Sequence, residues 1–336
     1  METTFLDLTR KCHCYNPKEV PGYYFNVNST FVGIIPEDAY KELLKFNDSY
    51  PEMFHTETKP FITIPFEEPE DQRLLYKTTN PVVTFNNDSQ AIKELKLDTF
   101  DGRSKIIANM FNYWREKKTF HCLAGWRDEL YPIYGKDHKP LLVIERAGGG
   151  LLGIRHFGVH INGYVRDVDE NGKPTIKMWI AKRALTKQTF PDTYDNVVAG
   201  GLPVNQTPIE CAIRECMEEA YFPEEIAKRV VPVGAVTYTF YNIDGIKPEN
   251  QYLYDLELSK DDLPKINDGE VQSFNLWDFE KITEVLKNHE FCPTAGLIVI
   301  EFMIRHGIIT PNNEKDYLDI ISSFHNDIGF PGPAHC

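Results

Sequence analysis

The sequence predicts an α/β (α+β) fold in two domains, and three observations carry that expectation. At 336 residues the chain is long enough for two buried cores. Short apolar runs of strand length alternate with segments of helical periodicity along most of it. A half-polar helix, expected from Pro208 to about Ala220, must lay its apolar side on a sheet to be stable.

Taken in order, Phe31-Val32-Gly33-Ile34-Ile35 reads as a strand ended by Pro36, and Asp38 to Phe46 as a short helix. A second strand is expected from Phe61 to Pro65, ahead of the acidic loop Glu67 to Asp71. Ile106, Ile107, Met110 and Trp114 stand near helical spacing, which predicts a helix over Ser104 to Trp114. Gly125 to Tyr131 mixes aromatics and charge without periodicity, as a surface loop or part of a pocket does. Leu141 to Ala147 is a strand candidate, and Gly148-Gly149-Gly150 after it reads as a flexible turn. No Gly-Lys-Ser/Thr follows, which excludes a P-loop.

Gly158 to Asp167 and Thr175 to Arg183 flank the turn residues Asp169-Glu170-Asn171-Gly172 and predict a hairpin. A loop, Thr186 to Asp195, leads through Asn196 to Ala199 into Gly200-Gly201. Beyond the half-polar helix come a short helix (Glu224 to Val230) and strands at Gly234 to Tyr241, Gln251 to Leu258 and Gln272 to Trp277. Ala295 to His306 is an amphipathic helix that Gly307 stops. The expected domains are 1–140, a small α/β unit, and 141–336.

A composition of 42 % hydrophobic and 26 % charged residues fits an ordinary soluble globular protein. The net charge of −14 argues against nucleic-acid binding, which needs cations facing phosphates. No apolar run approaches the roughly 18 residues of a membrane span, and the start has neither signal-peptide nor transit-peptide character. Seven scattered cysteines read as reduced thiols, so a cytoplasmic location is expected. Cys12-His13-Cys14 supplies only half of a structural zinc set. Nothing in the sequence sets an oligomeric state.

The chemistry gathers between Gly200 and Phe222. Thr207 suits an N-cap, Pro208 the first helical position, and Glu210 the acid of a capping box. Ile209, Ile213, Cys216 and Ala220 share an apolar stripe, with Glu215, Glu218 and Glu219 within an arc of roughly 100° on another face. Most acidic clusters are solvated helix faces. Here three carboxylates so close together repel unless cations lie between them. Mg²⁺ or Mn²⁺ take such oxygen ligands and leave positions for substrate phosphates.

The order of residues favours the metal. It resembles the Nudix box: Gly, five residues, Glu, seven residues, then Arg-Glu-apolar-x-Glu-Glu-x-Gly-apolar. Gly200, Arg214, Glu215, Cys216, Glu218, Glu219 and Phe222 match, while Gln206 stands for the first Glu and Tyr221 for the last Gly. Further marks are Gly125-Trp126-Arg127-Asp128-Glu129, Glu145-Arg146-Ala147, Phe157 to Gly163, Trp179 to Arg183, Val198 to Pro203, Asp268 to Val271 and Arg305-His306-Gly307. With these the chain resembles, from about Val32 to His325, the fungal and plant Nudix group with a family-specific N-terminal domain. That group includes the Nudix part of certain fungal thiamine pyrophosphokinases.

The resemblance implies a Nudix α/β/α sandwich with a mixed sheet, and an acid of the box at Glu210. It implies hydrolysis of thiamine diphosphate and, preferably, of oxo- and oxythiamine diphosphate to monophosphate and phosphate. Glu215, Glu218 and Glu219 would hold Mg²⁺ or Mn²⁺, Glu219 or Glu270 would accept the proton of the attacking water, and Arg214 would orient the glutamates. A cationic thiazolium favours aromatic faces, which makes Trp126, Tyr131 and Phe157 candidates beside Gly200 and Gly201 for substrate binding. His160 and Asn162 have no assigned role. A different nucleoside or dinucleotide diphosphate as substrate, and a diphosphate sensor with little turnover, are the alternative readings.

Overall fold

The computed structural model describes residues 3–16, 19–20, 22–54, 62–63, 83–85, 95–267 and 269–334. The chain forms two compact units. One comprises Cys14–His156, Thr239–Glu249 and Asp327–Cys336; the other comprises Met1–His13, Phe157–Tyr238 and Asn250–Asn326. Helix α1 (Phe5–Arg10), started by a capping box of Thr4 and Asp7, belongs to the second.

In the first unit β1 (Gly22–Val27) and β2 (Thr30–Pro36) make an antiparallel hairpin. Its turn residues Asn28 and Ser29 both have positive φ, 49° and 57°, the mirror-image turn that suits strand twist. Helix α2 (Glu37–Phe54) follows directly. Strands β3 (Ile62–Thr63) and β4 (Val83–Phe85) complete the order β2-β1-β4-β3, with β4 parallel to β1. Phe61, Ile64, Pro65 and the acidic loop Glu67 to Asp71 lie outside the described residues.

Helix α3 (Phe100–Glu116) buries Ile106, Ile107, Met110 and Trp114, as their spacing requires. With Phe25, Val27, Leu43 and Phe46 they make one core, and Tyr24, Ile34, Ile246 and Phe330 make another on the opposite side of the β1–β2 ladder. Strands β5 (Leu130–Tyr134) and β6 (Pro140–Glu145) pair antiparallel, so the end of the Gly125–Tyr131 segment is strand. The buried Arg103 of α3 donates to Leu141 O through Nε (3.1 Å) and Nη2 (2.9 Å). These bonds keep β6 with the first unit, and the division falls after His156, not near residue 140.

Gly148-Gly149-Gly150 is no flexible turn. A 3-10 turn (Arg146–Gly148) runs into the short helix α4 (Gly149–Leu152), and all three glycines are buried. A Cβ at Gly148 would lie 2.2 Å from the Phe111 ring, at Gly149 2.0 Å from His156 Nε2, and at Gly150 2.5 Å from Asp244 O. The run is glycine because neighbours fill the side-chain space.

In the second unit β7 (His156–Val168) and β8 (Pro174–Arg183) form the predicted antiparallel hairpin. Strand β9 (Tyr194–Asn196) pairs with β8 and β10 (Val198–Gly201) with β7. Helix α5 (Pro208–Glu219) and the single turn α6 (Glu224–Ala227) come next. Strands β11 (Val231–Asn242), β12 (Gly245–Leu258) and β13 (Val271–Trp277) complete a seven-stranded sheet of order β11-β12-β7-β8-β13. Side-chain contacts between β7 and β12 advance together, Asn162 to Asp255 and Tyr164 to Glu257, as parallel neighbours do. The sheet is therefore mixed.

Helix α7 (Phe279–Lys287), capped by Asp278, precedes α8 (Pro293–Arg305) and α9 (Tyr317–Ser322). α8 covers the sheet face that carries Tyr164, whose ring centre is 5.6 Å from that of Phe302. α5 covers the other face, against Gly200. Helices thus cover both faces.

Gly148→Ala forces a methyl into the Phe111 ring and is expected to lower unfolding free energy by about 1–3 kcal/mol, the usual cost of overpacking. Urea unfolding checks this; an unchanged or raised stability would restore the flexible-turn reading.

Candidate active site

Helix α5 begins as its sequence dictates. Thr207 Oγ1 accepts from Glu210 N, and Glu210 Oε2 accepts from Thr207 N at 2.9 Å. Glu210, the acid implied by the family resemblance, is engaged in this cap. The helix ends with Tyr221 in the left-handed region (φ 54°), and Phe222 N donates to Cys216 O at 3.1 Å. Glycine usually supplies that left-handed conformation at a helix end, and here tyrosine adopts it.

The buried face differs from the apolar stripe read in the sequence. Cys211, Ala212, Cys216 and Ala220 are buried, and so are Glu215 and Glu219, while Ile209 is 39 % exposed. The reason lies across the helix in β10. A Cβ at Gly200 would stand 2.1 Å from Glu215 Cδ, so the missing side chain leaves the space that this carboxylate fills. Glu219 Oε2 accepts from Ala199 N at 3.0 Å. Gly201, next along β10, accepts from Cys211 Sγ at 3.2 Å through its carbonyl.

Cations surround the carboxylates. Arg214 reaches Glu215 at 2.7 Å and Glu218 at 2.5 Å. Its Nε and Nη2 donate to Gln206 Oε1, each at 3.3 Å, so Gln206 supports the arginine from the place where the box has Glu. Burial opposes the charge on Arg214, but Glu215 and Glu218 outweigh it and raise the guanidinium pKa. Lys187 Nζ lies 3.7 Å from Glu219 Oε1 and directly against Glu270 Oε2. Burial, with help from the Glu215 charge, pushes the Glu219 carboxyl up to about 8, against the pull of Lys187 and the Ala199 N–H.

Of the residues expected in the site, Arg214, Glu215, Glu218, Glu219, Glu270 and Gly200 are joined by these contacts. Phe157 is buried on β7, its carbonyl bound by Leu202 N. Trp126 and Tyr131 belong to the other unit. Tyr131 is 4 % exposed in its core, with Arg146 5.4 Å from the ring centre, and Arg115 lies 4.6 Å from that of Trp126. Asp268 is outside the described residues.

Lys187 went unread in the sequence because its loop lacks periodicity and its partners are distant in the chain. His160 and Asn162 belong to the α8 side of the sheet. His160 Nδ1 donates to Asn196 Oδ1 (2.9 Å), Asn196 Nδ2 to Asn162 Oδ1 (2.8 Å), and Asn162 Nδ2 to Asp255 Oδ1 (3.2 Å). Arg305 clamps Asp255 with two bonds, 2.7 and 3.0 Å.

A family model described as NUDIX domain matches residues 160–294, and one described as a domain of unknown function (DUF4743) matches residues 77–156. An uncharacterized protein of Saccharomyces cerevisiae is 36 % identical over 257 residues, 73 % of this chain and 74 % of that protein. Nudix hydrolase 20, chloroplastic, of Arabidopsis thaliana is 36 % identical over 244 residues, 71 % of this chain and 62 % of the plant protein. This chain belongs to the Nudix hydrolases.

The Nudix hydrolase carries a DUF4743 segment ahead of its Nudix domain, and that segment ends at His156, where the first unit breaks off. The chain spans less than two thirds of the plant relative's length. A solved Ap4A hydrolase of Caenorhabditis elegans aligns over 46 % of this chain and 99 % of its own, at 15 % identity and a TM-score of 0.34. The family's enzymes act on pyrophosphate-containing small molecules and generally use divalent metal ions. Among the described residues no helix is long and apolar enough to cross a membrane.

Among the described residues, no three acidic, histidine or cysteine side chains already converge as a finished metal cluster. The donor chemistry nonetheless fits a hard divalent ion: carboxylates one helical turn apart, Glu215 seated over Gly200 and Glu219 on the Ala199 N–H.

Glu219 gives this site a pH signature. Its folded pKa of about 8 exceeds the ordinary 4.5, so its contribution to stability is intact below 4.5 and lost as pH rises through 8. Glu219→Gln does not titrate. In chelator, the melting temperature of the variant relative to wild type should climb between pH 5 and 8 and level off above. A difference independent of pH would contradict the burial assigned to this carboxylate.

Proposed function

We propose that this Nudix hydrolase is a divalent-metal-dependent diphosphatase of thiamine diphosphate that prefers the oxo- and oxythiamine forms, releasing the monophosphate and phosphate. The observation carrying the chemistry is the seating of Glu215 over Gly200 and of Glu219 on Ala199 N–H, with Glu218 and Glu270 joined to them through Arg214 and Lys187. The choice of thiamine rests on the ordered sequence marks from Trp126 to Gly307. The cytoplasm is the proposed compartment, on the scattered cysteines.

Glu215, Glu218 and Glu219 would hold Mg²⁺ or Mn²⁺, which when bound offsets charge on the diphosphate and acidifies water. Arg214 keeps Glu215 and Glu218 oriented, and Gln206 keeps Arg214 in place. Ala199 N–H fixes Glu219 Oε2 and leaves Oε1 facing Lys187. Glu219 Oε1 or the half-exposed Glu270 carboxylate takes the proton of the attacking water.

The test is kcat/KM for the three diphosphates at one Mg²⁺ concentration, with values about tenfold higher for the damaged forms. Excess chelator should abolish turnover. Equal values would leave a general diphosphatase. Negligible activity on all three would transfer the assignment to a nucleoside diphosphate derivative, the substrate class that family membership favours. Glu219→Gln should lower kcat by about a hundredfold or more, as loss of a carboxylate acting in the transition state does; near-normal turnover would remove Glu219 from the chemistry.

A further inference from the structure

Lys187 lies in the loop between β8 and β9, and Arg183 holds that loop in shape. Its Nε donates to Phe190 O at 3.0 Å, its Nη2 to Thr189 O at 2.8 Å, and its Nη1 pairs with Asp195 at 2.6 Å. Ala184 N donates to Glu270 O at 2.8 Å, and Lys187 N to Ala184 O at 3.2 Å. The loop is therefore stitched to the segment that carries Glu270. The Lys187 side chain is 16 % exposed, with its ammonium between Glu270 and Glu219.

The two cations of the site differ in kind. Arg214 sits on α5 itself and forks onto Glu215 and Glu218 with Gln206 behind it. Lys187 reaches in from another element, as a compact charge on a flexible stem with three donors, and can change partners without a fixed geometry. A divalent ion drawn to Glu219 and Glu270 meets a charge already seated there. Once displaced, a largely buried ammonium needs a new anion, because an unpaired buried charge is strongly unfavourable. A diphosphate arriving at the same carboxylates brings anionic oxygens that pair well with an ammonium.

We propose that Lys187 is an exchangeable counter-ion. It holds Glu219 and Glu270 in the metal-free protein, yields them to the divalent cation, and then pairs with the diphosphate of the substrate. This rests on the reading of the cluster as the cation site of a diphosphatase. It makes the two ligands mutually dependent: the cation frees Lys187, and the diphosphate keeps it from returning.

The test is calorimetric titration of wild type, Lys187→Met and Lys187→Arg, first with Mn²⁺ alone and then with methylenediphosphonate at saturating Mn²⁺. Removing the charge should tighten Mn²⁺ binding about tenfold and weaken methylenediphosphonate binding about tenfold, the scale of one charge-assisted pair. KM for the diphosphate substrate should rise in step, and Lys187→Arg should keep Mn²⁺ affinity within about threefold of wild type. Unchanged or weaker Mn²⁺ binding by a folded Met variant overturns the exchange, and tighter Mn²⁺ with unchanged diphosphonate binding overturns the hand-over to substrate. Melting in chelator reports folding, and Lys187→Gln carries the same comparison where Met does not fold. Wild type that cleaves no form of thiamine diphosphate, while the variants show these binding shifts, defeats the substrate reading alone.

Discussion

The close approach of α5 to β10 at Gly200 is the constraint on which the site depends. A helix packed on a strand ordinarily fills the contact with apolar side chains. Here the strand offers no Cβ, and the Glu215 carboxylate occupies the gap. One turn on, Glu219 follows it inward to the Ala199 N–H. Burying two acids costs stability unless cations and donors surround them, and Arg214, Lys187 and a backbone amide do so here. The same desolvation that raises the Glu219 pKa makes its carboxylate a stronger base once ionised.

That strand segment is itself held from behind. β9, which leads into β10, carries Asp195, which pairs with Arg183, and on the opposite face Asn196, which joins the chain of bonds from His160 through Asn162 and Asp255 to Arg305. One face of the sheet thus receives the carboxylates of α5, and the other carries the bonded chain from His160 to Arg305. The unit carrying the DUF4743 segment has cores of its own on both sides of the β1–β2 hairpin.

Much of this was legible in the residues. The order Arg214-Glu215 with Glu218-Glu219 behind Gly200 picked out residues that the fold brings together, and Thr207-Pro208 with Glu210 set the start of α5. What failed was the assignment of the buried face of α5 to its apolar stripe alone. Glu215 and Glu219 read as a polar arc apart from the apolar stripe because charge is ordinarily outside, and only the space over Gly200 and the Ala199 N–H show why they turn inward. The triple glycine was misread for a related reason: sequence reports that a side chain is missing, and the structure reports what fills its place. Lys187 needed a contact 83 residues along the chain to Glu270, which periodicity cannot supply. The helix Phe279–Lys287, with its Asp278 cap, was readable but went unread beside the stronger strand signal at Gln272 to Trp277.

The central claim is that the inward-turned acids of α5 form a divalent-cation site. The most direct measurement is anomalous scattering from crystals soaked in Mn²⁺ with methylenediphosphonate. The account predicts an Mn²⁺ peak within about 2.0–2.6 Å of carboxylate oxygens on Glu215, Glu218 or Glu219, the range of oxygen ligands to hard divalent ions. A peak on a different set of ligands, or none on these carboxylates under conditions in which the enzyme turns over, would contradict it.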